Sequence, residues 1–150
     1  MPRGQLSLKG RALRLLGLRE HSRAELERKL APHEKEPGQL PRLLDELQSK
    51  GFIDERRVME SVLHRRASRL GAARIRQELQ GKGLDSQLVA QALEQLQPTE
   101  LQRAREVWHK KFADPPRDAR ERGQQARFLM ARGFGAEVIR RVLSAAPDGD

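Results

Sequence analysis

Apolar residues along the chain recur at separations of three and four and nowhere alternate in twos, the spacing of helices that each bury one stripe. Leu101, Ala104, Trp108 and Phe112 fall on one such stripe, and Val89, Ala92, Leu93 and Leu96 on another. Local start signals cut the pattern into about nine short helices. Ser22 with Glu25 forms an S-x-x-E capping box, and Pro98-Thr99 with Gln102 makes a similar start. Asp54 and Asp85 are expected N-caps, and "DPPR" at 114–117 is expected to open a helix with proline in its first turn.

Three tripeptides, "KGF" at 50–52, "KGL" at 82–84 and "RGF" at 132–134, raise the question of an internal repeat. Shifting the chain by fifty residues lays "ELQGKGLDSQLVAQAL" (78–93) over "FLMARGFGAEVIRRVL" (128–143) without a gap. Leu79 then meets Leu129, Gly83 meets Gly133, Leu84 meets Phe134, and Val89 meets Ile139. Such a period marks stacked helical units. In two of the tripeptides the glycine therefore ends an equivalent helix in a left-handed conformation. "KGF" is out of register: it closes the first unit, whose inner turn is the longer "APHEKEPGQ" (31–39), so that Leu40, Leu44 and Leu47 match Val89, Leu93 and Leu96. The expected fold is all-α: tandem three-helix repeats over 1–53, 54–97 and 98–146, with a frayed tail at 147–150.

Composition narrows the chemistry. No cysteine is present among the 150 residues, which removes disulfides, thiolate catalysis and thiolate metal sites and suits a cytoplasmic protein. No segment is apolar enough to span a bilayer. The N-terminus is Arg-rich and imitates a transit peptide, but its apolar residues continue into the packing pattern of the rest. His21, His33, His64 and His109 are scattered without metal-site spacing. The Gly-Lys at 81–82 lacks the strand, the glycine spacing and the following Ser or Thr of a nucleotide loop. Neither an enzyme nor a cofactor is expected.

Charge is more informative, because Lys and Arg outnumber Asp and Glu by 30 to 21, a formal +9, and an anionic partner follows. The excess clusters: Arg56, Arg57, Arg65, Arg66, Arg69, Arg74 and Arg76 stand against only Glu55 and Glu60 in that span. A face built for solubility alone would intersperse both signs. A second run, Arg103, Arg105, Lys110 and Lys111, lies on the first helix of the third unit, so equivalent helices are expected to present one positive strip. The helix after Gly83, "DSQLVAQALEQLQ", carries no Lys or Arg and is poorly suited to enter a DNA major groove.

The segment "LQSKGFIDERRVMESVLHRRASRLGAARIRQELQGKGLD" (47–85) resembles the most typical part of the RecX family, with G-[FL]-I-D-[DE], a basic helix, R-I-x-x-E-L and K-G-[ILV]-[DS] in order. "ALRLLGLREHSRAELERKL" (12–30) and "ARFLMARGFGAEVIRRVL" (126–143) resemble the family's flanking units, so nearly the whole chain is covered. Val58 stands where an aromatic is common, and Ala72 where proline is frequent. The resemblance implies tandem three-helix units in an extended curved array, forming a bacterial regulator that binds the RecA filament on single-stranded DNA and reduces its ATP hydrolysis and strand exchange, moderating recombinational repair and the SOS response; a monomer is expected. Weak direct DNA binding is a further expectation, and a sequence-independent DNA-binding protein acting without RecA is the alternative. The family carries no catalytic residues over. The candidates for filament contact come from charge alone: Arg57, Arg65, Arg66, Arg69, Arg74, Arg76, Arg103, Lys110 and Lys111.

Overall fold

The structure, a computed structural model, describes residues 5–144. The expected tail at the C-terminus lies outside them. Among the described residues nine α-helices follow one another: α1 Leu8–Leu18, α2 Arg23–Leu30, α3 Gln39–Ser49, α4 Glu55–Arg66, α5 Ala72–Gly81, α6 Ser86–Leu96, α7 Glu100–Lys111, α8 Ala119–Ala131 and α9 Ala136–Val142. Short 3-10 turns at Ala31–His33 and Gln97–Thr99 join them, and no strand occurs among the described residues. The helices bury their stripes in three separate cores. Leu26, Leu44 and Leu47 centre the first, Met59, Ile75 and Leu79 the second, and Ala104, Leu129 and Leu143 the third. Each core draws on one triplet of helices, the signature of a tandem array in which a unit touches only its neighbours.

Local capping chemistry explains most of the helix starts. Ser22 and Glu25 form the reciprocal capping box, and Asp54 and Asp85 accept from the backbone N–H of Arg57 and Leu88. One expected start and one expected cap are corrected. Pro115 and Pro116 precede a helix that begins only at Ala119, capped by Asp118 accepting from the Glu121 N–H, because D-x-x-E offers the better cap. Thr99 makes no side-chain cap; its hydroxyl donates to the Leu96 carbonyl and accepts from Arg103 Nε.

All three tripeptides make the same turn. Gly51, Gly83 and Gly133 have φ of 83°, 76° and 96°. The next N–H donates back five residues in each: Phe52 to Leu47, Leu84 to Leu79, and Phe134 to Leu129. Their surroundings differ with the register. Leu84 and Phe134 are buried, whereas Phe52 is exposed.

The two in-register turns are also the seams between units. At the seam of units two and three, the N–H groups of Gly71 and Ala73 at the start of α5 donate to the carbonyls of Arg132 and Gly133, at 2.7 and 3.1 Å. Orphan donors of one helix thus meet orphan acceptors of another, N-terminus to C-terminus, which aligns their dipoles favourably. At the other seam, Ser22 Oγ donates to the Lys82 carbonyl at 2.5 Å and Arg28 donates to the Gly81 carbonyl. Helices α2, α5 and α8 therefore meet end to end through the fifty-residue repeat.

The approach leaves no room for side chains at these turns. A Cβ on Gly133 would sit 2.5 Å from Arg74 Cγ and 2.7 Å from the Arg74 backbone nitrogen, and one on Gly71 would sit 2.5 Å from the Gly133 carbonyl. Gly133→Val combines that clash with a left-handed backbone and should cost about 2 kcal/mol or more. Urea unfolding checks this; an unchanged midpoint would contradict the seam geometry.

Glu25 gives the first seam a pH signature. Burial pushes its carboxyl up, but bonds from Arg19 and the Ser22 N–H, with the Lys82 charge, overcome this and hold it at about 2. A depressed carboxylate contributes stability that is complete above its ordinary pKa and lost as pH falls through the folded one. Glu25→Gln should therefore melt well below the parent at pH 7, and the gap should close between the ordinary value of 4.5 and about 2. Parallel melting curves across that window test it; a gap independent of pH would contradict it.

Candidate anion-binding groove

An open groove of about 480 Å³ lies at the seam of the second and third units, lined by Arg66, Arg69, Leu70, Arg74, Gln77, Glu78 and Arg132. Three elements build it. Arg66 ends α4, where cations suit the negative end of the helix dipole, and Arg69 lies on the turn that follows. Arg74 comes from the first turn of α5 and donates from Nη1 to the Ala131 carbonyl at 2.6 Å. Arg132 is held by its guanidinium 4.9 Å from the centre of the Phe128 ring, which Lys111 Nζ approaches at 5.8 Å. Four guanidinium groups thus face one carboxylate, Glu78, which pairs with Arg66 at 3.1 Å and more loosely with Arg65 at 3.9 Å. Their planar donor forks suit carboxylate or phosphate oxygens.

Of the candidates drawn from charge, Arg66, Arg69 and Arg74 meet in this groove. Arg65 is exposed on its flank through the Glu78 pair, and Lys111 reaches toward it through Phe128. Lys110 is exposed at the end of α7 but does not line the groove. Arg76 belongs to a different groove, with Leu93, Leu101, Val138 and Arg141. Arg57 serves the first seam: it pairs with Glu20 and Asp54 and donates to the Gly51 carbonyl.

Arg103 is the clear correction. It is buried, and its five N–H donors are all used: Nε on Thr99 Oγ1, Nη1 on the Ala67 and Leu70 carbonyls, Nη2 on the Leu96 carbonyl and Glu100. Glu100 in turn accepts from the Ala72 N–H at the start of α5. Arg103 ties the second unit to the third, so the expected strip along α7 is broken there. The residue missed by charge clustering is Arg132. Its signal was present as the first residue of "RGF", but its partners lie more than fifty positions earlier in the chain.

Among the described residues no cluster of His, Cys, Asp or Glu could hold a metal ion, and no helix is long and apolar enough to cross a membrane.

The comparisons with known proteins agree among themselves. Residues 54–93 match the model of the second RecX three-helix domain, and residues 99–143 that of the third. Regulatory protein RecX of Leptothrix cholodnii is 57% identical over 144 residues, covering 96% of this chain and 92% of that protein. Regulatory protein RecX of Ralstonia nicotianae is 47% identical over 154 residues, covering 100% and 97%. The crystal structure of RecX from Lactobacillus salivarius superposes with a TM-score of 0.76 at 19% identity, covering 91% of this chain and 92% of that one, a likeness of fold.

Proposed function

The chain belongs to the RecX family, and we propose that it binds the RecA filament on single-stranded DNA and inhibits RecA ATP hydrolysis and strand exchange, moderating recombinational repair and the SOS response. It does so as a cytoplasmic monomer, without catalysis and without a cofactor. The observation that carries this reading is the groove in which Arg66, Arg69, Arg74 and Arg132 from two units face a single carboxylate. A filament of protein on DNA offers carboxylates and phosphates side by side, and a rigid cluster of guanidinium forks held on helix ends suits such a surface. α6 carries no Lys or Arg, which speaks against base reading in a major groove.

Binding to DNA without RecA is the second reading, favoured by the same groove. Anisotropy of the labelled chain separates them. The filament reading predicts binding to RecA filaments at least tenfold tighter than to the same single strand alone; equal affinities would favour the second reading.

A further inference from the structure

We propose that a groove on the first unit, between α1 and the end of α2, docks an acidic protein segment that carries aliphatic anchors. About 220 Å³ in volume, it is lined by Arg11, Arg14, Leu15 and Leu18 of α1, with Lys29 near the end of α2 and His33 in the turn that follows. No carboxylate among the described residues lines it. The contrast within α1 is informative: Lys9 pairs with Glu46 of α3 at 2.7 Å, whereas Arg11 and Arg14 have no ion pair among the described residues. The fold thus uses the cation on the α3 side and leaves those on the groove side for something else.

The apolar residues point the same way. Leu18 is 77% exposed at the end of α1, the most exposed large apolar side chain among the described residues. A leucine left in water beside unpaired arginines fits an occupant with negative charges and aliphatic side chains in alternation, the complement of this lining. Nucleic acid fits less well, because no Phe, Tyr or Trp among the described residues lines the groove to stack a base. This proposal uses a different unit and different residues from the filament-binding groove, and stands without it.

The test is binding of the full chain to a fluorescent peptide of alternating Glu and Leu, beside one of alternating Glu and Ser and an oligo-dT single strand. The Glu-Leu peptide should bind saturably and at least tenfold tighter than the Glu-Ser peptide. Arg11→Glu with Arg14→Glu should weaken it at least tenfold. Leu18→Ser should weaken the Glu-Leu peptide while leaving the Glu-Ser peptide unchanged. Should the double variant fail to fold, the exposed Leu18→Ser variant decides alone. No binding of the Glu-Leu peptide, or unchanged binding in the folded variants, overturns the proposal. So does a larger loss of oligo-dT affinity than of peptide affinity in the double variant.

Discussion

Arg103→Ala is expected to lower the stability of the protein by about 3–5 kcal/mol, the cost of removing one partner from a buried ion pair. The substitution strips five hydrogen bonds at once, leaving Glu100 without its cation, the Ala67 and Leu70 carbonyls without the guanidinium donor, and the Leu96 carbonyl with only the Thr99 hydroxyl. Each buried acceptor then bears its own desolvation cost. Lysine is no substitute despite its charge, since a compact ammonium lacks the planar fork that reaches two carbonyls on one side and a carbonyl with a carboxylate on the other. Arg103→Lys should therefore also destabilise, by less than alanine. Urea unfolding of the three proteins checks the order; an alanine variant that melts with the parent would return Arg103 to the exposed, ligand-binding set.

Reversing two groove arginines should do the opposite, sparing the fold and abolishing the partner. Arg69 is exposed and its side chain makes no ion pair among the described residues, and Arg132 loses only its contact with Phe128, worth about 0.5–1 kcal/mol. Arg74 is a poorer choice, because its guanidinium holds the Ala131 carbonyl and its stem packs on Gly133. Arg69→Glu with Arg132→Glu should melt within about 1 kcal/mol of the parent. Its binding to preformed RecA filaments and its inhibition of their ATP hydrolysis should fall more than tenfold, because each change turns attraction into repulsion at a surface of carboxylates and phosphates. Its binding should also depend less steeply on salt than the parent's. A merely solvated arginine face predicts unchanged inhibition and an unchanged salt slope.

The two stability and binding expectations differ for residues of one chemical type, and this marks where sequence reasoning stops. Helices, the fifty-residue repeat and the caps at Ser22, Asp54 and Asp85 were legible because their determinants lie within a few residues of one another. Even the missed start at Asp118 had its local D-x-x-E signal, overshadowed by the prolines before it. Arg103 could have been suspected, since Glu100, Arg103, Val107 and Trp108 share the spacing of the buried face of α7. Counting charges without regard to helical phase placed it instead with Lys110 and Lys111. The groove itself was only half legible. Arg66, Arg69 and Arg74 are near neighbours in the chain, but Arg132 joins them only because the start of α5 docks on the end of α8. No local pattern encodes that contact.

Hydrolysis of ATP by RecA on single-stranded DNA, followed as this protein is titrated in, reads inhibition of the filament itself. Hydrolysis should fall progressively with the parent protein, and the folded Arg69→Glu, Arg132→Glu variant should need more than ten times the concentration for the same effect. Hydrolysis that stays unchanged with the parent protein present in excess would contradict the account, whatever its affinity for DNA.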